Sequence, residues 1–340
     1  LCKLGKLVQL QGELDASVAH LNKSMEINEA LNNKNLIAEA MNNLGIIKFE
    51  QGDYESAKNY YSESLKFFKE TDDKKNIAYT INDLGSLLLE KGEYENAAKL
   101  FEESVEIQRE AGEKRGVAYS LFNLGNIIME QGDLARCAEI FDECIVLFKE
   151  LEEKRGTAYS LCSLGNIAFS LGETEKATLL LDESIALFRM IGEKRGISFA
   201  LTSRANISIQ DLDFETTSVL LEESLAIGQE TDNKPIIAYS LMTIGNAEYS
   251  KGNSDKAKKF FEDSLELSTE IGHKPGIAFN LNYLGNIALS NGEIELAADL
   301  FSKSLTLNKE LNQKKELAVN LLGFSELKFV NGEYTQAVLL

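Results

Sequence analysis

Across residues 113–152 the apolar positions fall into two stripes. Val117, Leu121, Leu124 and Ile128 are spaced i, i+4, i+7 and i+11, which places them on one face of an α-helix. Gln131-Gly132-Asp133 interrupts the pattern, and Asp133 is suited to cap a following helix. Leu134, Cys137, Ala138, Phe141, Ile145 and Phe148 then form a second stripe. The stretch predicts two amphipathic helices joined by a tight turn.

The same pattern recurs every 40 residues without a gap. Gly12, Gly52, Gly92, Gly132, Gly172, Gly252, Gly292 and Gly332 share the turn position. Gly5, Gly45, Gly85, Gly125, Gly165, Gly245 and Gly285 share a position inside the first helix, where close helix approach is expected. Ala57, Ala97, Cys137, Ala177, Ala257, Ala297 and Ala337 form a column of small residues. The loop between repeats carries Gly112, Gly192, Gly272, Asn32 or Asn312, all suited to a left-handed helix C-cap. Pro235 and Pro275 fall together in the first turn of a helix, where proline is tolerated. This register predicts an all-α array over residues 1–340, a single α-solenoid of about eight and a half repeats. The chain opens in mid-repeat at Leu1 and stops inside a helix at Leu340, so a piece of a longer protein with fraying ends is expected.

The repeat at 193–232 departs most. Arg204 stands in place of a core Leu, Ala205 and Leu212 in place of Gly, and Thr217 in place of Ala. An Arg on an apolar stripe must snorkel or find a carboxylate. Two readings stand: a degenerate repeat held by its neighbours, or a bend where another domain docks.

Net charge is −19, with 35 Lys and Arg dispersed among 54 Asp and Glu. That argues against direct nucleic-acid binding, which needs clustered cations. It fits either plain solubility or attraction of basic partners. Lys34, Lys74, Lys114, Lys154, Lys194, Lys234, Lys274 and Lys314 form a column just past the second helices. There a cation would complement the helix dipole, although evenly spaced cations could also track a polyanion. Cys2, Cys137, Cys144 and Cys162 lack metal spacing. Cys137 and Cys144 lie roughly 10 Å apart along one helix, too far for a disulfide. They read as small buried residues of a reducing, cytoplasmic protein. No stretch is apolar and long enough to span a bilayer. His20 and His273 are the only histidines, and phosphate-binding and nucleophile motifs are absent. Neither catalysis nor a metal or cofactor is expected.

These columns resemble the tetratricopeptide repeat. The matching residues are Leu124, Gly125, Ile128, Gly132, Asp133, Cys137, Phe141 and Cys144, and again Leu284, Gly285, Ala288, Gly292, Glu293, Ala297, Phe301 and Ser304. The usual proline after the second helix is absent and that helix is longer. This form is similar to the repeats of kinesin light chains, of G-protein-signalling modulators, and of bacterial signalling ATPases and transcription regulators. The loop Gly112-Glu113-Lys114-Arg115-Gly116 looks most like the bacterial regulators. The resemblance implies a right-handed superhelix with the first helices lining a concave groove.

On that face Asn126, Asn166, Asn206, Asn246 and Asn286 recur at one position. An amide both donates and accepts, so a row of them suits the backbone of an extended peptide. Alternatively each bonds within its own helix pair. Glu50, Glu90 and Glu130 flank the column early and give way to Ser170, Gln210, Ser250 and Ser290, which predicts an acidic N-terminal end favouring Lys or Arg in a ligand. Phe122 and Met129 lie on the same face. Tyr79, Tyr119, Tyr159, Phe199, Tyr239 and Phe279 form an aromatic column that suits inter-repeat packing or a ligand cage. Three functions are consistent: a scaffold holding a peptide or partner domain as the docking arm of a larger signalling protein, a small-molecule sensor of a signalling ATPase or transcription regulator, and a structural spacer.

Overall fold

The computed structural model describes residues 14–311 and 314–332, without the side chains of Leu14, Glu130, Lys314 and Lys315. Cys2, Gly5, Gly12, Asn312 and Ala337 therefore lie outside the described residues. Every element described is a helix: α1 Leu14–Ala30, α2 Lys34–Glu50, α3 Tyr54–Glu70, α4 Lys74–Glu90, α5 Tyr94–Glu110, α6 Lys114–Gln131, α7 Leu134–Glu150 and α8 Lys154–Ser170. They continue as α9 Thr174–Ile191, α10 Lys194–Gln210, α11 Phe214–Glu230, α12 Lys234–Ser250, α13 Ser254–Glu270, α14 Lys274–Ser290, α15 Ile294–Glu310 and α16 Lys314–Val330. Even-numbered helices are the first of each repeat and odd-numbered ones the second. The chain forms two compact units, Leu1–Ser160 and Leu161–Leu340.

The turns stop and restart helices by local chemistry. Gly132 adopts φ +84°, and the Asp133 carboxylate accepts the Arg136 N–H at 3.2 Å, so one turn both ends α6 and caps α7. Gly112, Gly192, Gly272 and Asn32 are left-handed as expected, and Pro235 and Pro275 sit in the first turns of α12 and α14.

Within the first unit, buried Phe101 and Phe141 from second helices press on Gly85 and Gly125 of the preceding first helices. In the second unit, Phe261 and Phe301 press on Gly245 and Gly285 in the same way. A polar contact accompanies each ring. The buried hydroxyls of Ser64, Ser104, Ser264 and Ser304 donate to the carbonyls of Ala38, Ala78, Ala238 and Ala278 at 2.6–2.9 Å. Several also meet the next first helix, as Ser264 accepts from Asn280 Nδ2 at 2.9 Å. These serines join three helices at one point. Cys144 occupies the same column, its Sγ 3.6 Å from the Ala118 carbonyl oxygen.

The lysine column proves to be something other than a C-terminal dipole partner. Each Lys opens a first helix, where the dipole disfavours a cation. What holds six of them is the last Glu of the second helix 36 residues on: Lys34–Glu70 at 2.7 Å, Lys74–Glu110 at 3.3 Å, Lys114–Glu150 at 2.8 Å, Lys194–Glu230 at 2.6 Å, Lys274–Glu310 at 3.1 Å, and Lys234–Glu270, whereas the position 36 beyond Lys154 is Met190. The Lys34 ammonium accordingly holds the Glu70 carboxyl below its ordinary range. These exposed pairs close the open end of their hairpins and, screened by solvent, contribute little to stability.

The divergent repeat is packed. Ala205 replaces Gly, but it faces Leu221 instead of a phenyl ring, and both are buried. Arg204 finds its carboxylate, with Nε 3.4 Å from Asp182, and donates to Ser208 Oγ at 3.0 Å. Thr217 satisfies its hydroxyl on the Asp213 carbonyl at 2.7 Å. Leu212 keeps the left-handed turn at φ +58° without being Gly.

Candidate partner-binding face on the first helices

First helices of successive repeats touch one another within each unit, as α4 touches α6 and α10 touches α12. The asparagines lie on these first helices, one to a repeat. Leu124 and Gly125 turn into the hairpin and are buried, and the next residue, Asn126, is half-buried. Asn166, Asn206, Asn246 and Asn286 repeat that state. The side-chain amides of Asn126, Asn166, Asn206 and Asn246 have no hydrogen-bond partner among the described residues. Asn286 donates weakly to Asn282 Oδ1 at 3.4 Å.

In the second unit the structure brings two of them together. Asn206 and Asn246 line one cleft of about 260 Å³ with Tyr239, Met242, Phe279 and Glu316. Asn286 lines a neighbouring cleft of about 500 Å³ with Tyr249, Glu326 and Phe329. Asn126 and Asn166 line neither.

In the first unit Glu50 and Glu90 are the exposed last residues of α2 and α4. Glu130 sits at the equivalent place, its side chain outside the description. Burial, with negative potential from Asp83 and Glu50, pushes the Tyr61 phenol up. Phe122 is half-buried and edge-on to Phe141 and Tyr159, with centroids 5.6 and 6.5 Å away, so much of its surface is spent on packing. Met129 is half-buried. The aromatic column is shared between core and surface. Tyr119 lies edge-on to Phe148 at 5.1 Å yet is 41% exposed, and Phe199 is 40% exposed beside Tyr239.

Cys137, Cys144 and Cys162 are buried free thiols. Burial pushes the thiols of Cys137 and Cys162 up to about 12, and raises that of Cys144 as well, so they are inert at neutral pH. No group of three metal-ligating side chains occurs among the described residues. No described helix is long and apolar enough to cross a membrane.

Sequence reading passed over Met242, His273 and Glu316, which line the cleft. Met242 was findable, since it shares the column of Phe122. His273 lies in an inter-repeat loop, where its Nδ1 accepts the Gly276 N–H at 3.2 Å and caps α14.

A family model described as tetratricopeptide repeat matches residues 1–70, 116–190 and 237–310, and a second of the same description matches 77–111. No curated protein matches the chain. Among solved structures, the apo form of RapI is similar with a TM-score of 0.70 at 14% identity, covering 81% of this chain and 98% of that one. The Rap conjugation gene regulator of plasmid pLS20, in complex with the Phr* peptide, gives a TM-score of 0.62 at 12% identity, covering 83% and 77%. A signal transduction ATPase with numerous domains and a tetratricopeptide repeat sensor, from Pyrococcus horikoshii, gives 0.65 at 13% identity, covering 94% of this chain and 48% of that one. At these identities the likeness is one of fold.

Proposed function

The chain belongs to the tetratricopeptide repeat family, and from that membership we propose that it is a non-catalytic scaffold holding an extended peptide or partner segment against its first helices. The amides of Asn206 and Asn246 carry this reading, because they share one cleft and are engaged by nothing else described. A half-buried amide without a protein partner offers donor and acceptor to a ligand backbone at little desolvation cost. Asn286 and Asn166 extend the column in the second unit, and Asn126 belongs to it in the first. Glu50, Glu90 and Glu130 give the first unit's face a preference for Lys or Arg in the partner. A fold neighbour solved with a bound peptide supports this use of the architecture. The role is that of a docking arm within a signalling protein.

The test is selection from a random peptide library on the intact chain, followed by titration of the enriched peptides against Asn206→Ala/Asn246→Ala. Peptides that bind the parent and weaken about tenfold or more on the variant, at unchanged melting temperature, fit two lost hydrogen-bonded contacts. Enriched peptides indifferent to the variant would place binding elsewhere.

A further inference from the structure

A third cavity lies in the second unit, about 540 Å³ in volume, where the end of α13 meets the starts of α10, α12 and α14. Its origin is a missing side chain. At the equivalent place in the repeats before it, a phenyl ring from the second helix covers a glycine of the next first helix: Phe148 over Gly156 and Phe188 over Gly196. In the first unit Gln108 covers Gly116. At Gly228 the arrangement is reversed, with Ile236 supplying the bulk. At Ser268 and Gly276 both sides are small, and the smaller imidazole of His273 stands against Gly276 and lines the cavity in place of a phenyl ring. Phe199, Tyr239 and Met242 wall the space that remains.

A cation stands in the wall. Arg195 belongs to a column in which two earlier cations pair with a carboxylate 38 residues on: Lys75 with Glu113 at 3.0 Å, and Arg115 with Glu153. For Arg195 that position is Asn233, a neutral residue occupied in capping α12 through the Ile236 N–H at 3.1 Å. Arg195 is exposed and has no ion-pair partner among the described residues. An apolar cavity of this size with one guanidinium has the make-up of a small-ligand site, and a guanidinium binds a carboxylate in a two-pronged geometry.

We propose that this cavity binds an aromatic carboxylate, its ring in the space left by the absent phenylalanine and its carboxylate on Arg195. The cavity adjoins the asparagine cleft and shares Tyr239, Met242 and His273 with it, but neither Asn206 nor Asn246 lines it. The ligand is either a free aromatic acid or the C-terminal aromatic residue of a peptide, which present the same chemistry.

The test is calorimetric titration of the whole chain with 3-phenylpropionate and with acetyl-Gly-Gly-Phe, each as free acid and as amide. The acids are expected to bind at millimolar concentration or below, and the amides about tenfold more weakly or not at all. Arg195→Gln should bring the acids down to the level of the amides. Ser268→Phe restores the ring seen at Phe188 above Gly196. It should fold, its ring taking the place of the His273 imidazole beside Gly276, and lose binding of all probes. Tighter binding of the peptide acid assigns the site to a peptide terminus, and tighter binding of phenylpropionate to a free acid; both support the proposal. Absence of binding to the parent at millimolar concentration would overturn it. So would equal binding of acid and amide, or undiminished binding by folded Ser268→Phe.

Discussion

The Phe141 ring occupies the space a side chain at residue 125 would need. A β-carbon built on Gly125 would lie 3.0 Å from Phe141 Cζ and 3.2 Å from Ile140 Cγ2. Both neighbours are anchored in α7, and Phe141 is fully buried. Gly125→Leu must therefore separate α6 from α7 or force the ring off its rotamer, at a cost of roughly 1–3 kcal/mol. Urea denaturation is expected to show that loss. An unchanged midpoint would mean that the hairpin is not closed by this contact.

Among the described residues, Leu212 is the one turn residue between paired helices of a repeat that is left-handed without being Gly, at φ +58°, and it is 66% exposed. It occupies the position of Gly132 and Gly172. A branched side chain gains nothing there and suffers the left-handed penalty of roughly 1–2 kcal/mol. Leu212→Gly should raise stability by about 1 kcal/mol, less the entropy that glycine adds to the unfolded chain. A lower melting temperature would show that Leu212 makes a contact worth more than its strain.

Ser264 donates to the Ala238 carbonyl at 2.8 Å and accepts from Asn280 Nδ2 at 2.9 Å, and all three groups are buried. Ser264→Ala strands the Asn280 amide, already short of a partner at Oδ1. The expected loss is about 1–3 kcal/mol by denaturant titration. The double variant Ser264→Ala/Asn280→Ala should lose less than the sum of the two single changes.

His273 caps α14 through an unprotonated Nδ1, and burial holds its pKa below the ordinary value of 6.5. The unfolded chain therefore takes up a proton first as pH falls. The cap's contribution is complete above about pH 6.5 and declines as acid titrates the unfolded histidine, until the folded one also protonates. Asn233 performs the same capping role without titrating. His273→Asn should match the parent near pH 8 and melt higher than it near pH 5. Parallel melting curves for the two proteins from pH 8 to pH 5 would contradict the capping role.

The helices, turns and stacking glycines were legible because each rests on one residue type at one place. Gly132 and Asp133 announce a turn, and Gly125 announces a close approach. The serine junctions were not legible: to a hydropathy pattern, Ser264 is only a small residue. The Lys114–Glu150 pair was missed because its partners are 36 residues apart, beyond any helical spacing, and meet only when the hairpin closes. The cavity beside Arg195 depends on what Ser268 and Gly276 together lack, which shows only against the rings of Phe148 and Phe188. The asparagine column stood out in the sequence, but that Asn126, Asn166, Asn206 and Asn246 find no partner among the described residues is a property of the folded chain.

Titration of library-selected peptides against the parent chain and against Asn206→Ala/Asn246→Ala tests the central claim most directly. The account predicts saturable binding by the parent and about a tenfold or greater loss in the variant, with matching melting curves. Equal affinity for the two proteins would contradict it.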